Sequence, residues 1–353
     1  MTRILIVRLG SLGDIVHTLP VAAALRRAFA DSRIDWLVSA PHRPLLDLVP
    51  VIDRRLAIGA AAGAAAGAHA GDEAFAGAGG LIDAIRDLRQ ARYDVALDLQ
   101  GLLKSAVLAR ASGAARVIGF ATRALREPLA RPFYTEAHDP GATRHVIEKN
   151  LALLAPLGVR DATMAFPIEH VTRDVVPAVR RRLGLGAEGR YVLINPGAGW
   201  PNKRWPPERL GALAAALRER HALPSVVIWG PGEETLAGRV VETAGGAAIP
   251  APPTDIADLV ALARGAALFV AGDTGPLHIA AAVGTPIVGL YGPTSPERNG
   301  PWSPSDITVS RTVQCACRDR RRCRRSEPCL LDIQVPEVLD AVDRRLAAVS
   351  THA

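Results

Sequence analysis

Residues 268–292, LFVAGDTGPLHIAAAVGTPIVGLYG, read as a buried strand, a tight turn, a helix of small residues and a second buried strand, and this order decides the fold. Leu268, Phe269 and Val270 form an unbroken apolar run, the pattern of a parallel strand covered on both faces. The run stops at Gly272 and Asp273. Thr274 and Gly275 then lead into Pro276, which suits a first helical turn because its missing N–H would have no partner there. Leu277 and His278 complete that turn. A helix start of this kind offers unpaired N–H groups and about half a positive charge, a ready site for a phosphate or diphosphate. Asp273 and His278 supply side chains at its lip. A plain turn with Asp or Thr as helix cap fits GDTGPLH as well, but the small residues that follow, through Gly284, let the helix lie close to a sheet and a ligand. That favours a nucleotide-binding half-domain.

The chain has 353 residues, enough for two domains with a core each. Hydrophobic residues make up 49% of it, yet no apolar run approaches the roughly 20 residues of a membrane helix. The N-terminal MTRILIVRLGSLGD has too short an apolar stretch for a signal peptide, so a soluble cytoplasmic protein is expected. A net charge of +7 and a pI near 9.7 favour anionic partners: lipid, acidic glycolipid, nucleic acid or phosphorylated substrate. Aromatic residues are only 4% and do not interleave with basic ones, so no nucleic acid partner is expected.

Working outward, RILIV at residues 3–7 is a first strand and residues 15–29 a helix, with the next strand at 34–38. This βαβ opening implies a parallel sheet with right-handed crossovers. Further strands are expected at 95–98 and 117–119, with helices at 102–111 and 145–157. Residues 57–80 are almost entirely Ala and Gly, too small to anchor a core, so a mobile loop or frayed helix is expected there. A Pro-punctuated, Arg-rich stretch at 166–185 reads as a linker. Strands at 191–194 and 226–229 and helices at 207–220, 233–244 and 256–264 then repeat the alternation up to residue 268. The predicted architecture is α/β: an N-terminal Rossmann-like domain (1–175), a C-terminal one (176–335), and a helix and tail (336–353). In doubly wound sheets ligands sit beyond the carboxyl ends of the strands, here in a cleft between the halves.

The other informative stretch is RLGSLGDIVHTLP, residues 8–20. Gly10 and Gly13 permit a sharp strand-to-helix loop with close backbone approach, and Asp14 stands at the helix start. An Asp there serves as a helix cap or as a carboxylate able to take a proton from an attacking hydroxyl. Its position at the cleft mouth favours the second role.

Together with NPGAGWPNKRWPPERL from Asn195, WGPGEE from Trp229 and GDTGPLHIAAAVGTPIVGLYGPT from Gly272, this stretch resembles the heptosyltransferase family of lipopolysaccharide core assembly, glycosyltransferase family 9. DLQGLLKSA from Asp98 and TRALREPLARPFY from Thr122 are most similar to heptosyltransferase I. The resemblance implies the two-domain GT-B fold and transfer of heptose from ADP-heptose to Kdo on lipid A. It assigns Asp14 as catalytic base and Lys203 as a lysine that binds the sugar donor. Glu233, with Glu234 beside it as the other reading, matches an acid near the ribose. Asp273, Thr274, Gly275, Pro276, Leu277 and His278 match the diphosphate and sugar loop. Gly13, Lys104, Arg126 and His145 match positions facing the acidic acceptor. Where the family carries basic acceptor contacts, this chain has residues 57–80; Arg54 and Arg55 would substitute, or the acceptor differs.

These roles agree with the chemistry. A departing nucleoside diphosphate needs a helix N-terminus, Lys203 and amide or hydroxyl groups to meet its charge. No acidic DxD pair stands near those motifs, so metal-independent inverting transfer without a required cofactor is expected. Cys315, Cys317, Cys323 and Cys329 cluster in VQCACRDRRRCRRSEPCLLDI. They read as a structural zinc set or as reduced thiols, with the CxC spacing a poorer zinc pattern than CxxC. Thiols beside so many arginines are expected to have lowered pKa values. Arg318, Arg320, Arg321, Arg322, Arg324 and Arg325 suit anionic headgroups of the inner membrane or form a solvated loop. The competing functions are a relative using another sugar nucleotide or core acceptor, a nucleotide-sugar epimerase, and a non-enzymatic glycan-binding protein.

Overall fold

A computed structural model describes residues 1–59, 74–75, 77–160, 163–323 and 325–350. The chain forms two compact units, Met1–Glu169 and His170–Ala353. The change of unit falls after Glu169, where the sequence reading placed it after residue 175. The stretch read as a linker contains a helix, Val175–Arg182, whose Val175 and Val179 are buried. The final helix, Val335–Ser350, is part of the second unit. Its Val338, Ala341 and Val342 share one core with Leu290 and Val309.

The first unit holds strands β1 (Arg3–Val7), β2 (Arg33–Ser39), β3 (Arg54–Ile58), β4 (Ala74–Phe75), β5 (Val95–Asp98), β6 (Arg116–Phe120) and β7 (Glu136–His138) in the order β4-β3-β2-β1-β5-β6-β7. The second holds β8 (Val192–Asn195), β9 (Ser225–Val227), β10 (Ala248–Pro250), β11 (Leu268–Gly272), β12 (Ile287–Tyr291) and β13 (Ile307–Ser310) in the order β10-β9-β8-β11-β12-β13. Neighbouring strands in both sheets are parallel, Val7 pairing with Asp98 and Ala271 with Asn195 at the strand ends. The central strands are fully buried, as their apolar runs require. Strand order reverses between β1 and β5 in one sheet and between β8 and β11 in the other. Such switch points open a crevice at the carboxyl ends of the strands.

Two sequence expectations are corrected. Residues 15–29 are two helices, Leu12–Val16 and Leu19–Ala28. Thr18 Oγ1 donates to the Asp14 carbonyl at 2.8 Å at the break, and Pro20 sits in the first turn of the second helix. The Ala/Gly stretch at 57–80 is regular at its ends, with Ala57 and Ile58 in β3 and residues 77–80 in the helix Gly77–Gln90. Residues 60–73 and 76 of that stretch lie outside the described residues.

Candidate active site

At the first switch point, β1 runs into Arg8 and β5 into Leu99. Asp14 is the third residue of the helix Leu12–Val16, and its carboxylate is committed on both oxygens. Oδ2 accepts from the Ser11 N–H at 3.1 Å and the Ser11 hydroxyl at 3.2 Å. Oδ1 lies 2.7 Å from Arg8 Nη2, with the Asp14 side chain still 33% exposed. A carboxyl so held is fixed in orientation and keeps a solvent-facing side. The His42 ring packs on Gly10, where an added Cβ would come within 2.9 Å of it. Burial lowers the His42 pKa, while the Asp14 charge pulls it the other way.

His145 caps the helix Val146–Ala152, its Nδ1 accepting from the Ile147 N–H at 3.2 Å. Its ring meets that of His17 edge-on at 5.8 Å between centroids. Asn150 of the same helix donates to the His17 carbonyl at 3.1 Å, so this segment is locked to the end of the Asp14 helix. Gly13 is buried inside that helix. Lys104 and Arg126 are exposed. Their segments are joined by the Leu103 N–H, which donates to Glu127 Oε2 at 2.8 Å. Arg54 and Arg55, expected as substitute acceptor contacts, have other partners. Arg55 donates to the carbonyls of Leu46 and Val49 at 3.1 and 2.7 Å, and Arg54 lies 3.8 Å from Asp87.

At the second switch point Asn195, ending β8, donates to Thr274 Oγ1 at 3.3 Å, bridging to the turn after β11. Asp273 is the hub of this cluster. Its Oδ2 accepts from Lys203 Nζ at 2.5 Å and Thr294 Oγ1 at 2.6 Å. Its Oδ1 accepts from Asn299 Nδ2 at 2.7 Å and lies 3.0 Å from His278 Nε2. Burial alone would raise the pKa of this carboxyl, but the hydrogen bond and charge of His278 and the ammonium of Lys203 hold it well below the usual carboxylate range. Lys203 Nζ also sits 4.5 Å from the centre of the Trp200 ring. The turn tolerates no side chain at Gly272, whose added Cβ would lie 2.4 Å from the Lys203 carbonyl oxygen.

Gly275 and Pro276 stand half-buried at the start of the helix Gly275–Ala282. Leu277 is fully buried, so its side chain packs the core. Glu233 turns inward, accepting from the Gly230 N–H at 3.1 Å. Its carboxylate occupies the space where a Cβ on Gly197 would fall, at 1.9 Å. Glu234 is exposed. Sequence reasoning missed Thr294 and Asn299, which lie just beyond the opening stretch, in GPTSPERN at 292–299; the fold brings them onto Asp273.

Cys315, Cys317 and Cys329 form a buried cluster with Cys323 packed against it, all four as free thiols. Among the described residues no group of three or more His, Cys, Asp or Glu side chains is arranged to hold a metal ion. The expected lowering of thiol pKa is reversed: burial pushes Cys329 up to about 12 and raises Cys323. Desolvation is the largest cause of both shifts. The loop is tied to the Lys203 segment, because Asn202 Nδ2 donates to the Arg320 carbonyl at 2.8 Å and Arg321 to that of Gly199 at 3.2 Å. No helix among the described residues is long and apolar enough to cross a membrane.

Two doubly wound parallel sheets, each with a polar cluster at its switch point and a helix start beside the second, make up the α/β architecture of the GT-B fold. The chain belongs to glycosyltransferase family 9 (heptosyltransferase), whose family model matches residues 82–328. It is 31% identical over 352 residues to lipopolysaccharide heptosyltransferase 3 of Escherichia coli, covering 96% of this chain and 98% of that one. It is 29% identical over 332 residues to lipopolysaccharide heptosyltransferase 1 of Pseudomonas aeruginosa, covering 91% and 87%. Among solved structures, the fold matches E. coli heptosyltransferase WaaC with ADP-2-deoxy-2-fluoro heptose at a TM-score of 0.71 and 23% identity, over 100% of both chains.

Proposed function

We propose that this glycosyltransferase moves heptose from ADP-L-glycero-D-manno-heptose to Kdo of the lipopolysaccharide inner core, on Kdo-lipid A. The observation that carries the reading is the convergence of Lys203, His278, Thr294 and Asn299 on Asp273 beside the start of the helix Gly275–Ala282. Such a cluster holds a cation and a set of backbone N–H groups where a diphosphate develops charge as it leaves. The names of the relatives support the substrate class: a heptosyltransferase 1 and a structure with an ADP-heptose analogue.

In this mechanism Asp14 removes the proton of the acceptor hydroxyl as it attacks the anomeric carbon, and the diphosphate departs from the opposite face, inverting that centre. The Asp273 cluster orients Lys203 toward the leaving group and Glu233 holds the ribose. Gly13, Lys104, Arg126 and His145 take the acidic acceptor. No metal or other cofactor enters the chemistry, and the cysteines serve only to brace the loop against Asn202. The enzyme works at the cytoplasmic face of the inner membrane, touching anionic lipid peripherally. The match to heptosyltransferase 3 supports a second reading, a different core acceptor with the same sugar donor. A thermal-shift panel of ADP-heptose, ADP-glucose and UDP-glucose tests the assignment of the sugar donor: ADP-heptose should stabilise the protein most, and preference for a UDP-sugar would overturn it.

A further inference from the structure

We infer that Arg8 is a positioning residue for the base, holding the Asp14 carboxylate in one orientation; this rests on the reading of Asp14 given above. Arg8 is 6% exposed. A buried guanidinium is costly unless it is paired and hydrogen-bonded. Here Nη2 lies 2.7 Å from Asp14 Oδ1 and Nη1 donates to the Leu99 carbonyl. Nε has no partner at all. The side chain therefore leaves one buried donor unused while keeping the two contacts that link the ends of β1 and β5 to the carboxylate.

Both ends of that link are anchored. The Arg8 N–H donates to the Leu37 carbonyl at 3.2 Å, and its own carbonyl accepts from Trp36 Nε1 at 3.1 Å. On the β5 side Asp98 is wholly buried. Its Oδ1 accepts from the N–H groups of Gln100 and Gly101 at 2.9 and 3.2 Å, and its Oδ2 from Tyr134 at 2.7 Å and Ser105 at 3.0 Å. Gln100 Oε1 in turn accepts from the Leu9 N–H at 2.8 Å. A second carboxyl group, with no solvent contact and a pKa raised by burial, thus fixes the loop whose carbonyl aims Arg8. Lysine has a single donor centre and cannot span two acceptors in the fixed fork that Arg provides.

The test is steady-state transfer by Arg8→Met, Arg8→Lys, Tyr134→Phe and Asp14→Asn proteins, with melting temperature and sugar-donor affinity measured on each. Arg8→Met should lower kcat about 10- to 100-fold, the effect of a misplaced reacting group, with KM and sugar-donor affinity within about twofold. Arg8→Lys should recover part of kcat, and Tyr134→Phe should lose a few-fold. In the Asp14→Asn background Arg8→Met should add nothing. If Arg8→Met does not fold, the Arg8→Lys protein carries the same reading, a reduced kcat at unchanged KM. Wild-type kcat in the Arg8 variants, or a fall in kcat that only tracks a fall in melting temperature and is not improved by Lys, would overturn the inference. An active Asp14→Asn protein would instead remove the base assignment itself.

Discussion

Lys203 Nζ lies 2.5 Å from Asp273 Oδ2, with the two side chains 15% and 4% exposed. The lysine that the motif offers to a phosphate is thus aimed by a carboxylate that cannot reach solvent. Asp273 belongs to the turn after β11 and Lys203 to the short helix Pro201–Lys203, so this pair ties the two loops that flank the second switch point.

Replacing Asp273 by Asn keeps a hydrogen-bonding group but removes the charge that balances Lys203. Charge-assisted bonds of this kind contribute about 1.5–3 kcal/mol each. Asp273→Asn should lower the unfolding free energy by about that amount and weaken ADP-heptose binding, as measured by urea denaturation and calorimetry. Lys203→Met should instead lower kcat about 10²- to 10³-fold. A Lys203→Met protein with wild-type kcat would remove the lysine from the leaving-group role.

The same carboxyl sets an acid limit. Its folded pKa lies below the usual range, against about 3.9 in an unfolded chain. A depressed pKa contributes stability above the unfolded value that is lost as pH falls through the folded one. The stability difference between wild type and Asp273→Asn should therefore shrink as pH falls below about 4. A difference that stays unchanged from pH 5 down to about 2 would contradict the depressed pKa.

Gly197→Ala separates the two uses of the second unit. The new Cβ would fall 1.9 Å from Glu233 Oε2, and the end of a flexible side chain gives way at small cost. We expect less than about 1 kcal/mol of lost stability but at least about tenfold weaker ADP-heptose binding, as Glu233 leaves the Gly230 N–H. Unchanged affinity would move Glu233 out of the ribose site. Gly272→Ala meets backbone instead, at the Lys203 carbonyl, and should destabilise the unit outright.

Arg318, Arg320, Arg321, Arg322 and Arg325 are exposed on the loop held by the buried cysteines, and Val313 beside them is 87% exposed. If this loop meets the membrane, the protein should sediment with vesicles containing anionic phosphatidylglycerol and not with neutral phosphatidylcholine. Raising salt should release it. Arg320→Gln/Arg322→Gln should weaken that sedimentation, and equal binding by this variant would place the contact elsewhere.

The sequence carried the organisation further than the details. The apolar runs at β1 and β11, the small-residue helix after Asp273 and the alternation in each half led to the two parallel sheets. The short strands β3, β7, β10 and β13 were not read. β7 consists of half-buried Glu136, Ala137 and His138 at a sheet edge, which no apolar run betrays. The helix Val175–Arg182 carries Pro177 and a string of arginines that looked like linker. Asp14, Lys203, Glu233 and the Asp273 turn were named because each stands in a compact motif. Arg8 and Thr294 stand in those motifs too but were given no role, and Asn299 lies beyond them, because the meaning of all three is a contact: Asn299 reaches Asp273 across 26 positions of chain. The expected lowering of the thiol pKa values failed for the same reason, since arginines adjacent in sequence do not reveal how deeply the thiols are buried.

Incubating the protein with ADP-heptose and deacylated Kdo-lipid A, without added metal, and measuring product mass and anomeric configuration tests the whole transfer reaction in one assay. We expect a product heavier by one heptose residue, inverted at the anomeric carbon, with kcat reduced about 10²- to 10⁴-fold in Asp14→Ala while ADP-heptose still binds. A retained anomeric configuration, or full turnover by Asp14→Ala, would contradict that expectation.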